Sequence, residues 1–439
     1  MSGIASIMLR KGVCVSGSDL KENKIIAELK KLGAAISIGH DAANIQGADM
    51  VVYSSAIKGD NPEIIAAQAK GISLIKRAEA LALLMKDKEV ITVTGSHGKT
   101  TTSSLVSLLL SEAGFSPTAA IGGILMNTGA NSYNGTGKYF VAEADESDGS
   151  FLFYNPKFSI ITNIDYEHLD YYKTFENELE AFRKYIQKTE EKGRVFYSND
   201  DLNLKKILGS EKKNSFSFGL TKDAEIYPKN IRIDGLSSQF DCCYKGKFLE
   251  RFGLSLAGLH NISNSLAVIA LGLELGVNIK IIKKTLESYK GAGRRIEIKY
   301  RNDRFLIIDD YAHHPTEIKA TLKAIKNIKP GRIVAVFQPH RYSRTRLLLD
   351  DFGRCFELAD YIIITDIYPA SEPAIAGLSG RSISDKIKQF SPAKPVDFIH
   401  KEDLLPHLLN NLKPDDLIIT LGAGDIVKVC DELVEELKR

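Results

Sequence analysis

The chain has 439 residues, too many for one hydrophobic core, so two or three domains are expected. Hydrophobic residues make up 44% and charged residues 26%, values typical of soluble globular proteins, and a net charge of +3 does not favour nucleic acid as a partner. The five scattered cysteines form no Cys-x-x-Cys pair, and no apolar run is long enough to span a membrane. We therefore expect a cytoplasmic protein with neither nucleic acid nor a membrane as its partner.

Residues 1–87 alternate helices with short strands and are predicted to form one Rossmann-like α/β domain. A helix from Ser2 to Leu9 comes before a strand that runs from Val13 to Asp19. Dinucleotide-type folds place a strand and a glycine-rich turn ahead of such a helix, and that strand is central in the sheet. Its absence predicts a gap within the sheet. The expectation is either a misassigned start or a truncated copy.

The next stretch, Gly95-Ser-His-Gly-Lys-Thr-Thr101, lies between a predicted strand at Val90 to Val93 and a predicted helix that ends near Gly114. A strand, a glycine loop with Lys-Thr and a helix form a phosphate cradle, because backbone N–H groups at the helix start face the anion. An ordinary strand–turn–helix corner with a surface lysine is the alternative. The position of Lys-Thr in the first helical turn favours the cradle, with the lysine on the terminal phosphates and the threonine on Mg2+.

Two acidic motifs follow predicted strands of the central region, residues 88–293, which also carries a predicted antiparallel insertion from Ala224 to Ser255. They are Glu143-Ala-Asp-Glu-Ser-Asp148 and Asn163-Ile-Asp-Tyr-Glu-His168. Parallel sheets place their sites at the carboxyl ends of strands. Thr100, Glu143 and His168 are therefore predicted to form a mixed oxygen and imidazole Mg2+ site. A solvated acidic loop and a packed histidine are the alternatives.

Residues 294–439 return to regular β/α alternation and predict a second doubly wound domain. Two motifs, Asp309 to Pro315 and Gln338 to Arg344, follow strands and should open at the same edge of the sheet. A cationic pocket suited to a small carboxylate is predicted from His313, His340, Arg341 and Arg344. A basic surface face is the alternative.

Together these motifs resemble the Mur ligases of peptidoglycan synthesis, and their alanine-adding members in particular. The resemblance covers essentially the whole chain, and the motifs occur in the family's order. Those that carry it are Gly95 to Thr101, Glu143 to Asp148, Asn163 to His168, Gly258 to Asn261, Gly293 to Arg295, Asp309 to Pro315, Gln338 to Thr345 and Gly422 to Gly424.

The resemblance implies an ATP- and Mg2+-dependent ligase that joins L-alanine to the lactyl carboxylate of UDP-N-acetylmuramate through an acyl phosphate. The implied catalytic residues are Lys99, Glu143, His168 and Arg295. The implied ATP-binding residues are Gly95, Ser96, His97, Gly98, Lys99, Thr100, Thr101, His260, Asn261, Asn264 and Asp310. The implied amino-acid pocket consists of Tyr311, His313, His340, Arg341 and Arg344. The implied UDP-sugar contacts are Ser16, Gly17, Ser18, Asp19, Ser54, Ser55 and Asn131.

Three other functions stay open at this stage. The chain could be a related Mur-type ligase that adds a peptide or a different amino acid. It could be a P-loop kinase or switch ATPase, which would hydrolyse ATP without any amino acid. It could also be a non-catalytic truncated copy. We expect a monomer or a weak homodimer.

Overall fold

A computed structural model describes residues 1–54, 57–210, 214–328 and 331–439 of the chain. Ser55, assigned above to the UDP-sugar, lies outside the described residues. Contacts divide the chain into two compact units, of which the first comprises Met1–Tyr227, Cys243–Lys247 and Asn264–Thr285. The second unit comprises Pro228–Cys242, Phe248–Ser263 and Leu286–Arg439. In the part of the chain that the structure describes, no helix is both long and apolar enough to cross a lipid bilayer.

The N-terminal part of the first unit contains two separate pairs of parallel strands. The strands are β1 (Ser16–Asp19), β2 (Ala35–Ile38), β3 (Met50–Tyr53) and β4 (Ser73–Lys76). The helices are α1 (Ser2–Arg10), α2 (Lys24–Lys31), α3 (Pro62–Ala69) and α4 (Arg77–Met85). Among the described residues β1 pairs with β2 and β3 pairs with β4, and no strand joins the two pairs. The predicted gap in this sheet is confirmed, and the strand predicted from Val13 begins at Ser16.

A mostly parallel sheet forms the centre of the first unit. Its strands are β5 (Glu89–Thr94), β6 (Thr118–Leu125), β7 (Ala130–Tyr133), β8 (Tyr139–Glu143), β9 (Phe158–Ile161), β10 (Arg194–Ser198) and β11 (Ser215–Phe218). They lie in the order β11-β10-β9-β5-β8-β6-β7. β5 is buried and pairs in parallel with β8 on one side and β9 on the other, so the carboxyl ends of all three meet at one edge. The helices here are α5 (Lys99–Glu112), α6 (Leu169–Tyr172), α7 (Phe175–Gln187) and α8 (Leu202–Ser210).

Three strands, β12 (Ile226–Asp234), β13 (Ser237–Tyr244) and β14 (Lys247–Leu254), follow one another and are neighbours in this order. Two-residue turns join them, and Gly235 and Gly246 have φ of 54° and 82° in these turns. Such turns connect antiparallel strands, which confirms the predicted antiparallel insertion. The helices α9 (Leu259–Glu274) and α10 (Ile279–Ser288) follow.

The C-terminal part of the second unit is a twisted α/β sheet with the order β15-β16-β20-β17-β18-β19. Its strands are β15 (Glu297–Arg301), β16 (Phe305–Asp310), β17 (Arg332–Phe337), β18 (Tyr361–Ile364), β19 (Val396–Phe398) and β20 (Asp416–Leu421). Its helices are α11 (Pro315–Ile325), α12 (Tyr342–Leu347), α13 (Leu349–Phe352), α14 (Gly380–Phe390), α15 (Leu404–Asn411) and α16 (Val427–Leu437). Apart from the antiparallel β15, the pairs are parallel, as predicted. Asp310 and Phe337 both pair with Leu421, so the loops after β16 and β17 do open at the same edge.

Candidate active site

The loop between β5 and α5 has a backbone that requires glycine at two positions. Gly95 has a φ of 120° and Gly98 a φ of 90°, a region that side chains with a Cβ rarely adopt. A Cβ on Gly95 would lie 2.7 Å from the carbonyl oxygen of Asn163, and one on Gly98 would lie 2.8 Å from Oδ1 of Asn264. Gly98 is also the N-cap of α5, so the N–H groups of the next turn are available to an anion. The predicted cradle has the backbone that phosphate binding requires.

The loop after β9 holds the phosphate loop in place. The N–H of His97 donates to Oδ1 of Asn163 at 2.9 Å, and the ring Nε2 of His97 lies 2.8 Å from Oδ2 of Asp165. The N–H of Asp165 donates to Oγ of Ser96 at 2.7 Å. Asn163 and Asp165 were not assigned to the site, although their strand-end motif was recognised. Thr101, which was assigned, is buried in the first turn of α5.

The ammonium group of Lys99 lies against three acceptors of its own unit. Nζ donates to the carbonyl oxygens of Gly95 at 2.7 Å and Ser96 at 3.2 Å, and to Oε1 of Glu146 at 2.7 Å. Burial alone would raise the pKa of Glu146, but the ammonium of Lys99, together with the nearby His168, outweighs burial and holds that pKa at about 2. Burial alone would lower the pKa of Lys99, and the Glu146 carboxylate reverses the direction, so this pKa is raised. Lys99 is therefore fully charged at neutral pH.

Glu143, at the end of β8, is held by three donors. Its Oε1 accepts from the N–H of Gly122 at 2.7 Å and from Oγ of Ser103 at 3.0 Å, while Oε2 accepts from Oγ1 of Thr100 at 3.3 Å. A Cβ on Gly122 would lie 2.5 Å from Oε2, so this approach requires a glycine. Two of the three predicted metal ligands, Thr100 and Glu143, are thus in contact. Ser103 and Gly122 support the carboxylate, and the sequence did not predict this role for either of them.

His168 lies beside two carboxylates other than Glu143. Nε2 is 3.3 Å from Oε1 of Glu146 and 3.6 Å from Oε2 of Glu167. Its φ of 58° is uncommon for a residue with a side chain. Hydroxyl, carboxylate and imidazole groups fit a site for a divalent cation, and the Thr100–Glu143 contact gives such an ion oxygen ligands. The residues present therefore fit Mg2+, and the inclusion of His168 stays a prediction.

Helix α9 carries three of the implied ATP-binding residues, of which Asn264 faces Gly98 as described above. Asn261 is buried, and its Nδ2 donates to the carbonyl oxygen of Ala257 at 2.7 Å. His260 lies close to Gly258, where a Cβ would be 2.6 Å from its Cε1. Asn261 thus has a role in starting the helix.

Two adjacent arginines and two adjacent aspartates meet at the start of the C-terminal sheet. Arg294 Nε donates to Oδ2 of Asp309 at 2.7 Å, and Arg295 pairs with Glu317 at 3.6 Å. Asp310 accepts from the N–H of Ile296 at 2.7 Å and is fully buried; burial raises its pKa to about 6. Both Arg294 and Arg295 also lie over the ring of Tyr311, at 5.3 and 5.2 Å from its centroid.

The predicted amino-acid pocket is assembled at the shared edge of the C-terminal sheet. The rings of His313 and His340 are 5.8 Å apart, and an Arg344 amino group lies 3.4 Å from Nδ1 of His340. Burial, with the nearby His313, Arg344 and Arg341, lowers the pKa of His340 to about 3. His340 is therefore uncharged at neutral pH, which corrects the predicted cationic role, and the arginines supply the positive charge.

Two residues of this pocket were missed by sequence reasoning. The Tyr368 ring stacks on His340 with centroids 5.5 Å apart and 9° between the planes, and its carbonyl oxygen accepts from the N–H of Arg341 at 2.8 Å. Glu372 accepts from the N–H of Ser343 at 2.9 Å. Both follow β18, in a loop that contains none of the residues predicted above to form a site.

The predicted UDP-sugar residues Ser16 to Asp19 form β1. Oγ of Ser18 lies 3.0 Å from Nδ1 of His40 and donates to Oε2 of Glu63 at 2.8 Å. His40 and Glu63 were not assigned, because a single histidine and a helical glutamate carry no recognisable motif. Ser54 directly follows β3, and Asn131 lies on β7.

Three family descriptions match consecutive segments of the chain. Residues 1–89 match "Mur ligase family, catalytic domain", residues 93–272 match "Mur ligase middle domain", and residues 294–424 match "Mur ligase, glutamate ligase domain". These matches cover most of the chain and support a three-domain α/β architecture. The exact boundaries at residues 87 and 293 stay predictions.

Full-length relatives share the same family. The UDP-N-acetylmuramate–L-alanine ligase of Persephonella marina is 45% identical over 442 residues, covering 100% of this chain and 95% of the relative. That of Geotalea daltonii is 42% identical, covering 100% of this chain and 96% of the relative. Among solved structures, the UDP-N-acetylmuramate-alanine ligase of Thermotoga maritima has a TM-score of 0.86 at 30% identity, covering 100% of this chain and 96% of its own.

Proposed function

Because the chain belongs to the Mur ligase family, we propose that it is an ATP-dependent ligase that joins L-alanine to the lactyl carboxylate of UDP-N-acetylmuramate in peptidoglycan precursor synthesis. One observation carries the proposal. A glycine-bounded loop carries Lys99 and Thr100 at the edge of the central sheet, where Thr100 donates a hydrogen bond to Glu143, in a chain whose relatives are alanine ligases over their full length.

The chemistry explains why a triphosphate is needed. A carboxylate does not react with an amine at neutral pH because oxide is a poor leaving group. A carboxylate oxygen therefore attacks the γ-phosphorus of ATP, ADP leaves, and an acyl phosphate forms. The amine of L-alanine then attacks the acyl carbon, the tetrahedral intermediate collapses, and phosphate departs with its P–O–C oxygen. No covalent enzyme nucleophile is required.

The residues of the phosphate loop neutralise and align charge in this scheme. Lys99, which is charged at neutral pH, and the N–H groups at the start of α5 hold the β- and γ-phosphates. Arg295 supplies further positive charge near the γ-phosphate. Asn264, beside Gly98, and His260, Asn261 and Asp310 contribute to the nucleotide site.

The Mg2+ requirement belongs to the same proposal. Thr100, Glu143 and His168 would hold the ion, which when bound neutralises charge between the phosphates and the carboxylate. Ser103 and the N–H of Gly122 keep Glu143 oriented, at 3.0 and 2.7 Å from Oε1.

The pocket after β16 and β17 delivers the amino acid. Arg341 and Arg344 bind the carboxylate of L-alanine, and Tyr311 and His313 line the pocket. Because its pKa is lowered to about 3, His340 stays neutral there and can accept a hydrogen bond. The UDP-sugar is bound by Ser16 to Asp19, Ser54, Ser55 and Asn131, in a cytoplasmic enzyme that is a monomer or a weak homodimer.

A related ligase that adds a peptide is the second candidate. A murein peptide ligase of Psychrobacter arcticus has a TM-score of 0.74 at 24% identity, a likeness that shows the fold alone. The alanine ligases are 42% and 45% identical over the full chain, which supports L-alanine as the substrate.

The test is phosphate release from ATP with each substrate omitted in turn. We expect release that requires both UDP-N-acetylmuramate and L-alanine, and that is lost in Lys99→Ala. A panel of amino acids and the tripeptide identifies the amine. Release without any amine would favour an ATPase, and release with the tripeptide alone would favour the peptide ligase.

A further inference from the structure

The carboxylate of Glu146 lies between the phosphate-loop lysine and His168. It is fully buried. Its Oε1 accepts from Nζ of Lys99 at 2.7 Å and lies 3.3 Å from Nε2 of His168, while Oε2 accepts from Oγ1 of Thr94 at 3.4 Å. The same oxygen thus faces both the ammonium of Lys99 and the ring nitrogen Nε2 of His168. With Lys99 closer, Nε2 of His168 has no aligned hydrogen-bond partner among the described residues.

We propose that Glu146 is a positioning residue that exchanges partners when nucleotide binds. It holds Lys99 beforehand, and it accepts the Nε2–H hydrogen bond of His168 once a phosphate draws Lys99 away. The inference deepens the proposed function and rests on it, because it concerns the same nucleotide site.

The exchange follows from the number of donors on the lysine. An ammonium group has three N–H donors, and those of Lys99 already contact Gly95, Ser96 and Glu146. A phosphate oxygen can be bound only if at least one of these contacts is released. The Glu146 contact pairs two opposite charges, so a phosphate anion is the natural competitor for it.

Release of Lys99 leaves a buried carboxylate that needs another donor. An isolated buried charge is costly, and the nearest candidate is Nε2 of His168, 3.3 Å away. A hydrogen bond from Nε2 fixes the proton on that nitrogen and leaves the lone pair on Nδ1. Nucleotide binding would then set the tautomer and orientation of His168.

The first half of the proposal is that Glu146 holds Lys99 before nucleotide binds. Calorimetry of ADP binding in the presence of EDTA tests it. Glu146→Gln keeps the shape but loses the charge, so Lys99 is more easily released and we expect about tenfold tighter ADP binding. Asp145→Asn is the matched control, because Asp145 acts on Lys99 only through space. It should change ADP affinity by less than about threefold. Unchanged or weaker ADP binding by Glu146→Gln, or an equal effect of Asp145→Asn, would overturn the proposal.

The second half of the proposal is that Glu146 orients His168 once nucleotide has bound. Mn2+ binding to the ADP complex, measured by electron paramagnetic resonance, tests it. Without its carboxylate partner His168 is less well oriented, and we expect about tenfold weaker Mn2+ binding in Glu146→Gln. Mn2+ affinity equal to that of the wild type would contradict the exchange. If the wild-type protein binds no ADP, the proposed function fails as well. If the wild-type protein binds ADP and Glu146→Gln binds ADP and Mn2+ with the same affinities, only this inference fails.

A double-mutant cycle on the thermal unfolding midpoint measures the coupling of Lys99 and Glu146 without any ligand. It therefore still gives a result if a single variant is too unstable for binding experiments. Lys99→Met leaves Glu146 without its closest partner and should lower the unfolding midpoint. Adding Glu146→Gln to Lys99→Met should recover part of that loss, because the uncompensated buried charge is removed. A double variant whose loss equals the sum of the single losses would show that the two residues are not coupled, against the proposal.

Discussion

At the residue scale, Gly122 is a position where one added methyl group should disturb catalysis. A Cβ there would lie 2.5 Å from Oε2 of Glu143. We expect Gly122→Ala to displace that carboxylate and to lower kcat by about tenfold or more, since small misplacements of catalytic groups are costly. Steady-state kinetics of phosphate release measure the effect.

Gly209 is the matched control for this substitution. It lies in α8, and a Cβ there would meet no atom of the described residues within 4 Å. Gly209→Ala should keep wild-type kinetics and stabilise the protein by roughly 0.5–1 kcal/mol, because alanine favours a helix. Equal loss of activity in both variants would argue against the close approach of Gly122 to Glu143.

Single residues of the site were predictable where a motif marks them. Lys99, Thr100 and Glu143 follow strands in recognisable patterns, and the structure brings Thr100 and Glu143 into contact. Glu146 and Tyr368 were missed because their importance comes from burial and contacts that the fold creates. The sequence of the acidic run does not indicate that Glu146 is fully buried while the other acidic residues of the run are not.

At the scale of elements, helix α7 places a carboxyl group on its apolar face. Glu178 is fully buried one turn from Ala181 and Phe182, and neither of its oxygens has a hydrogen-bond partner among the described residues. Burial, with Glu146 and other nearby carboxylates, raises its pKa from 4.5 to about 8. The carboxyl group of Glu178 therefore binds its proton more tightly in the folded state than in the unfolded state.

Glu178→Gln should make stability less dependent on pH. The raised pKa means that wild-type stability falls as pH rises from 4.5 to about 8 and levels off above. The unfolding midpoint of Glu178→Gln should match the wild type most closely near pH 4.5 and exceed it increasingly up to pH 8. Glu180→Gln, on the exposed face of α7, is the control. A constant offset between Glu178→Gln and wild type across this range would contradict the shifted pKa.

The separated strand pairs of the N-terminal part should differ in stability from the central sheet. β3 pairs with β4 alone among the described residues, whereas β5 is paired on both sides. Two-stranded sheets are marginal by themselves. Hydrogen exchange should therefore be faster for the amides of Met50–Tyr53 than for those of Glu89–Thr94. Equal protection would mean that β3 is stabilised by contacts beyond its pair.

Elements were predicted well where their hydrophobic pattern is strong. The apolar runs Val90 to Val93, Phe305 to Ile308 and Ile333 to Phe337 predict buried parallel strands, and β5, β16 and β17 agree with them to within two residues at each end. β2 was missed, since Ala35–Ile38 is short and mostly exposed and its pattern does not differ from that of a loop. Contact with β1, not local pattern, makes it a strand.

At the scale of the whole molecule, the order of motifs was more informative than any one of them. Residues assigned to ATP come from Gly95 to Thr101, His260 to Asn264, Arg295 and Asp310. Distances along the chain contain no information about which of these lie together in space. The family resemblance supplied that grouping, and the matches over residues 1–89, 93–272 and 294–424 confirm the family.

The central claim is that ATP activates the carboxylate of the sugar nucleotide before the amine attacks. UDP-N-acetylmuramate labelled with 18O in both lactyl carboxylate oxygens tests it directly in the presence of ATP and L-alanine. Mass spectrometry of the released phosphate should find one 18O atom per phosphate, because the bridging oxygen of the acyl phosphate leaves with phosphorus. Product formation with unlabelled phosphate would contradict the account.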